Sequence, residues 1–181
     1  IRGNQAGDFF EADILFLNVP PQRGGGPETA RFFLDQIRAV QKELHYSPIS
    51  WVLFASSTSV YDEMNGIALE RDAGRPVPPS LTGRALLEAE HMLLAGSHID
   101  ATVLRYAGLY GHGRPPGRFL AGRRDVTHGD APVNLVHRDD GIGVVRAVLG
   151  QDARNEVFNV CADEHPTRRA FYPEAARRLG L

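Results

Sequence analysis

Three short apolar runs punctuate the chain: DILFLNV (Asp13–Val19), SWVLFAS (Ser50–Ser56) and ATVLRYA (Ala101–Ala107). Each is rich in branched or aromatic residues, and none alternates between apolar and polar. Continuous apolarity over that length predicts strands covered on both faces, as in a parallel sheet. Between the runs the spacing changes. Glu28–Leu44 sets Phe32, Phe33, Leu34, Ile37, Val40 and Leu44 close to a 3.6-residue period, after Pro27 at a position suited to a first turn. Leu81–Ala95 carries Leu86, Leu87, Met92, Leu93 and Leu94, with Gly96 placed to end it. Further helices are predicted over Asp139–Leu149 and from about Thr167 to Leu179, with a short strand VFNV (Val157–Val160) between them. Strands alternating with helices imply βαβ units, hence an α/β fold built on a doubly wound parallel sheet. The segments Pro20–Pro27, Ala73–Pro79 and Gly108–Gly117 are rich in Pro and Gly and read as irregular.

In such a sheet, ligands sit beyond the carboxyl ends of the strands. All three apolar runs end in small or polar residues: NVPPQRGGG, SSTSVYDE and RYAGLYGHGR. Side by side, these ends would form a crevice. The cluster Ser56, Ser57, Thr58 and Ser59 has two readings: it closes off a strand, or it faces a ligand.

Composition narrows the function. The chain has 181 residues, 43% apolar and 23% charged, enough for one domain with a sizeable core. A net charge of −2, with signs interspersed, leaves no footprint for nucleic acid or an anionic membrane. No apolar run approaches the roughly 20 residues of a membrane span. The single cysteine, Cys161, cannot make an internal disulfide, so a reducing, cytoplasmic setting is expected, with Cys161 as a core residue. The first residues, IRGNQAGDFFEAD, are polar and lack an initial methionine.

Four segments carry a resemblance. FASSTSVYDE resembles the S-S-x-x-V-Y-G segment of the extended short-chain dehydrogenases/reductases, the NAD-dependent epimerase/dehydratase family. VLRYAGLYGHGR, VNLVHRDDGIGVVRAVL and EVFNVCADEHPTRRAFYPEAARRLGL are similar to later segments of that family, in the family's order. The resemblance implies a Rossmann-like domain binding NAD or NADP and a small-molecule substrate. Residues 108–138 and 157–181 would contribute to a small C-terminal substrate lobe.

By resemblance, Ser57 takes the place of the hydroxyl that hydrogen-bonds the reacting substrate oxygen, with Thr58 beside it. The family's Tyr-x-x-x-Lys pair, a general acid/base and its lysine partner, has no counterpart. The corresponding stretch, PPSLTGRALLEAEHML, aligns either Ser80 and Arg84 with the pair or, with Glu90 kept at the family's acidic position, Thr82 and Leu86. A Ser or Thr hydroxyl is far weaker as an acid than a phenol, whose pKa starts near about 10. Arg84 can donate to a ribose or a phosphate but does not exchange protons. The expected chemistry is therefore atypical, and catalytic candidates are Ser57, Thr58, Thr82 and Arg84. A non-catalytic dinucleotide- or metabolite-binding protein on the same scaffold is the alternative. Tyr61 and Tyr106 are the phenols near the expected crevice.

Cofactor-lining candidates are Asn18, Val19, Pro20, Ser56, Arg84, Tyr106, Ala107 and Leu109. The family's G-x-x-G-x-x-G loop is absent; RGGGPET (Arg23–Thr29) has the wrong spacing and reads as a connection or a weak anion site. LFLNVPP resembles the family's fourth strand, so the sheet is expected to lack its first strands. About 50–70 further N-terminal residues would supply them. Otherwise DILFLNV would be an apolar edge needing cover from another chain, for which a homodimer would serve. Asp139 reads as a helix N-cap, and His137, Asp139 and Asp140 match no common metal spacing, so no metal is expected. Arg114, Arg118, Arg123 and Arg124 read as solvated surface, with an anionic substrate as the other use.

Overall fold

The structure is a computed structural model that describes residues 9–22, 26–62, 66–96 and 98–181. Arg23–Gly25, part of the stretch read as a connection or anion site, lie outside the described residues. In chain order the elements are β1 (Ile14–Leu17), α1 (Pro27–Leu44), β2 (Trp51–Ser57), α2 (Leu81–Leu94), β3 (Asp100–Tyr106), β4 (Gly108–Tyr110), β5 (Leu135–His137), α3 (Arg138–Gly150), β6 (Val157–Val160) and α4 (Arg168–Arg177). Two compact units result: Ile1–Arg105 with Gln151–Asn159, and Tyr106–Gly150 with Val160–Leu181.

The first unit is built on a parallel sheet of order β1-β2-β3-β6. β1 pairs with β2 from Ile14 opposite Trp51 to Leu17 opposite Phe54. The predicted helices form where the period placed them. α1 buries Phe33, Leu34, Ile37 and Leu44, each apolar side chain contributing about 1.5–3 kcal/mol. α2 starts at Ser80, whose Oγ accepts the Gly83 N–H at 2.9 Å. That bond satisfies one of the first-turn donors that have no partner within the helix.

The apolar runs behave differently from one another. Trp51, Val52, Leu53 and Phe54 are all buried, as continuous apolarity predicts. β1 departs from expectation: Leu15 and Leu17 are buried, but Ile14 and Phe16 are 40% and 44% exposed. β1 is the end strand of the sheet, and among the described residues only one of its faces is covered.

Trp51 ties the sheet to the turn before β6. Its Nε1 donates to Thr102 Oγ1 at 3.0 Å, Thr102 donates to the Ala153 carbonyl at 2.8 Å, and the Arg154 guanidinium lies 4.6 Å from the ring centroid. Arg154 also pairs with Asp100 at 3.1 Å, and Asn155 Nδ2 donates to Asp100 at 2.6 Å. The Asn155 bond first, and the Arg154 bond second, hold the Asp100 carboxyl below its ordinary pKa. A depressed carboxyl stabilises the fold above its unfolded pKa of about 3.9, and that contribution is lost as pH falls through the folded value. Asp100→Asn is therefore expected to lower stability at neutral pH. Its deficit against the parent should shrink to nothing in acid, as read by urea titrations at both pH values.

In the second unit β4 and β5 pair in parallel, Gly108 opposite Leu135 and Tyr110 opposite His137. This corrects the reading of Gly108–Gly117 as irregular throughout; a three-residue strand paired at long range leaves no local period. The turn Pro116–Arg118 packs on α4 so closely that a Cβ on Gly117 would lie 2.2 Å from the Ala175 carbonyl oxygen. Two further expectations are corrected. Asp139 is not an N-cap but lies in the first turn of α3, its N–H donating back to His137 Nδ1 at 3.3 Å. Cys161 is exposed rather than buried, because it falls one residue beyond the last buried position of β6.

Candidate functional site

β2 delivers its hydroxyl residues to different tasks. Ser56 points into the core and is buried, its Oγ 2.5 Å from Glu90 Oε1. Ser57 is half-buried, and its Oγ accepts the Ser59 N–H at 3.2 Å, capping the 3-10 turn Thr58–Val60. A hydroxyl has one donor and two acceptor sites, so this bond leaves the Ser57 proton available to a ligand. Thr58 is half-buried.

The first turn of α2 lies directly against this turn. A Cβ on Gly83 would sit 2.1 Å from the Ser59 carbonyl oxygen, 3.0 Å from Ser80 Oγ and 3.1 Å from Pro78. Only a residue without a side chain permits that approach. Thr82, half-buried, and Arg84, exposed, flank the contact. The four catalytic candidates, Ser57, Thr58, Thr82 and Arg84, thus occupy two adjoining turns at the carboxyl end of β2. Ser80 and Leu86, the other residues of the two alignments, are engaged as the cap and in the core.

Beneath these turns is a buried polar network that the sequence reading missed. Glu90 is fully buried and Arg105 is 4% exposed. Arg105 Nη2 meets Glu90 Oε2 at 2.7 Å, and its Nε lies 3.2 Å from both carboxylate oxygens. Arg105 Nη1 donates to Tyr61 Oη and to the Glu70 carbonyl, each at 2.7 Å. Tyr61 donates onward to Asn159 Oδ1 at 2.6 Å, and the Asn159 N–H donates to Glu70 Oε1 at 2.9 Å. Every polar atom of the pair is thereby matched, which a buried charge requires. Its signal was a charge in a buried register: Arg105 inside an apolar strand, Glu90 on the α2 stripe of Leu86, Ala89 and Leu93.

The network also fixes protonation. Burial raises the Tyr61 pKa above that of a free phenol, against the lowering effect of the Arg105 hydrogen bond and charge. Burial alone raises that of Tyr106, whose hydroxyl donates to the Gly141 carbonyl at 3.3 Å in the second unit. Both phenols stay protonated near neutral pH, and neither can serve there as a general base. Burial opposes the charge on Arg105, but the bond and charge of Glu90 outweigh it and raise its pKa.

The cofactor-lining candidates are spread over both units. After β1, Asn18 and Pro20 are exposed and Val19 is half-buried. Ala107 is buried, its N–H donating to the Val160 carbonyl at 3.0 Å, and Leu109 is exposed. The carboxylate of Asp139 lies 3.6 Å from His112 Nε2 and 3.8 Å from His137 Nδ1. Among the described residues no group of three or more His, Cys, Asp or Glu is arranged to hold a metal.

No family model matches the chain. Protein YeeZ of Escherichia coli K12 is 39% identical over 173 residues, which make up 94% of this chain and 61% of YeeZ. The chain thus spans about three fifths of the length of that curated relative. A Methylobacillus flagellatus protein assigned as an NAD-dependent epimerase/dehydratase superposes with a TM-score of 0.71 at 26% identity, over 93% of this chain and 60% of that one. MoeE5, solved with UDP-glucose and NAD, shares the fold alone: TM-score 0.77 at 24% identity, over 100% of this chain and 69% of its own. The likeness read from four sequence segments therefore extends to three dimensions, and the chain carries the Rossmann-like fold of the extended short-chain dehydrogenases/reductases and resembles their NAD-dependent epimerase/dehydratase family.

Proposed function

We propose that this chain is part of an NAD(P)-binding protein, epimerase/dehydratase-like or reductase-like, acting by atypical chemistry on a small metabolite or a nucleotide sugar in the cytoplasm. The observation that carries this reading is the junction of the Ser57–Ser59 turn with the first turn of α2, sealed at Gly83, at the carboxyl end of a buried parallel strand. Structures of the same fold bind NAD together with UDP-glucose, as MoeE5 does.

The residues present suit the cofactor in a limited way. Asn18 and Arg84 are exposed donors, and Arg84 carries a permanent charge for a ribose or phosphate group. Val19 and Pro20 are the apolar candidates of the first unit; Tyr106, Ala107 and Leu109, in the second, are candidates by the family resemblance. Ser56 spends its hydroxyl on Glu90 and contributes backbone only. When bound, the dinucleotide would supply hydride-transfer chemistry at a substrate carbon bearing an oxygen. Ser57 donates its free proton to the oxygen on that carbon, a neutral hydrogen bond that strengthens as charge develops. Thr58 and Thr82 position the same oxygen. By the family resemblance, residues 108–138 and 157–181 contribute the substrate lobe.

The test is calorimetry with NADH and NADPH, followed by turnover over a panel of nucleotide sugars and ketones. Binding with turnover is expected. Ser57→Ala should lower kcat by roughly 10²–10³-fold, the cost of losing one oxyanion donor, with cofactor affinity unchanged. An unaltered rate removes Ser57 from the mechanism. Binding without any turnover assigns the non-catalytic alternative, and no binding overturns both.

A further inference from the structure

We propose that a hollow at the amino-terminal ends of β2 and β3, between the closing turns of α1 and α2, binds a small neutral molecule: one aromatic ring bearing a hydrogen-bond donor. The hollow measures about 100 Å³. Val52 and Ala101, each the second residue of its strand, line it together with Leu44 and Leu93 from the last turns of the two helices. All four are buried and apolar, and Ile99 adds a half-buried apolar side chain. The candidate site around Ser57 lies at the other end of β2. Val52 and Ser57 stand about 16 Å apart along the strand at the usual rise. The hollow is therefore a second place for a ligand, and it does not rest on the cofactor reading.

Size, charge and one unused acceptor select the ligand. A cavity of roughly 150 Å³ with aliphatic walls takes up benzene. This hollow is smaller but opens at a mouth of exposed residues, His45, Gly96 and His98, so a single ring fits with one edge outward. Among the described residues no Asp, Glu, Lys or Arg lines it, so an ion would enter without a counter-charge. The polar contact comes from Gln41. Its Nε2 donates to the Met92 carbonyl at 2.7 Å, which fixes the orientation of the amide. Its Oε1 accepts no hydrogen bond among the described residues. Both helices end here, and the carbonyl ends of their dipoles add partial negative charge, which favours a donor over an acceptor. The imidazoles of His45 and His98 stand T-shaped at the mouth, ring centroids 5.7 Å apart. An aromatic guest meets such rings edge to face.

The probe is phenol, with anisole as the same ring lacking a donor and benzoate as an anion. Each is titrated into the purified protein and followed by imidazole proton resonances, with His45→Gln and His98→Gln assigning two of the seven histidines. Phenol should bind saturably, about threefold to tenfold tighter than anisole, the worth of one neutral hydrogen bond. Benzoate should not bind. The His45 and His98 signals should move while those of the other histidines stay. Gln41→Met keeps the length of the side chain and removes the acceptor, so phenol and anisole should bind it equally, with anisole affinity retained. Ile99→Phe should fill the hollow and abolish binding of both; if that variant does not fold, the Gln41→Met ratio and the shifted resonances decide. Phenol that does not saturate, that binds no better than anisole, or that moves other histidines instead overturns the site. So does a phenol preference that survives in Gln41→Met. Displacement of phenol by NADH would put the probe in the candidate site and likewise overturns this one. Phenol binding that passes these tests upholds the hollow whether or not NADH binds.

Discussion

Glu90→Ala should cost the protein about 3–5 kcal/mol, the range found when one partner of a buried ion pair is removed. Arg105 would remain in place, 4% exposed, without the carboxylate it meets at 2.7 Å. Ser56 would lose its acceptor as well. Against the 5–15 kcal/mol that separates folded from unfolded domains, such a loss is a large fraction of the whole. The expected reading in urea is a lower midpoint with an unchanged slope. The double variant Glu90→Leu/Arg105→Met should recover much of the loss, because removing both charges leaves neither unpaired. Tyr61 would still have Asn159 as its acceptor. A single-variant loss under about 1 kcal/mol would mean that water reaches the pair and that the network is a surface feature.

Gly83→Ala is the second large effect. The added methyl would stand 2.1 Å from the Ser59 carbonyl oxygen, a distance no non-bonded carbon tolerates. Both sides are backbone, one held by the α2 hydrogen bonds and the other by the Ser57 cap, so neither can swing aside. Overpacking of this kind costs about 1–3 kcal/mol or more. The same substitution at Gly143 is the control. That residue sits exposed in α3, and a methyl added there would meet nothing within 4 Å, so alanine should stabilise by about 0.5–1 kcal/mol. Thermal melts of the two variants should therefore move in opposite directions. If Gly83→Ala melts like the parent, the two turns are not in contact and the candidate site loses its geometry. If it folds but is weakened, cofactor affinity should fall with it, because the methyl drives the Thr82–Arg84 turn away from Ser57.

The long, strongly periodic elements were legible from pattern alone. The α1 and α2 stripes and the buried β2 run follow from the spacing of Phe33, Ile37, Leu86, Leu93 and Trp51–Phe54, which local chemistry dictates. β4 and β5 were not, since three residues cannot express a period and their pairing joins Gly108 to Leu135 across the chain. β1 was read from its composition, ILFL, as covered on both faces, which it is not, whereas its place at the end of this sheet was anticipated from its resemblance to a fourth strand. At the site, the hydroxyl cluster held both of its competing readings at once: Ser56 belongs to the core, while Ser57 caps a turn and keeps a proton to offer. The Glu90–Arg105 pair was visible only as two charges in apolar registers. Which charge would find which depends on the tertiary fold.

The lone tryptophan gives one half of the molecule an optical reporter. Trp51 lies in the core of the first unit, 1% exposed, capped by Arg154 and anchored to Thr102. Its emission should lie toward the blue and shift red when the sheet around it opens. The residues of the second unit contain no indole. Loosening there would pass unseen by tryptophan fluorescence and register only in tyrosine or peptide signals. Recording both on one sample therefore separates a concerted melt from one in which the two parts let go in turn.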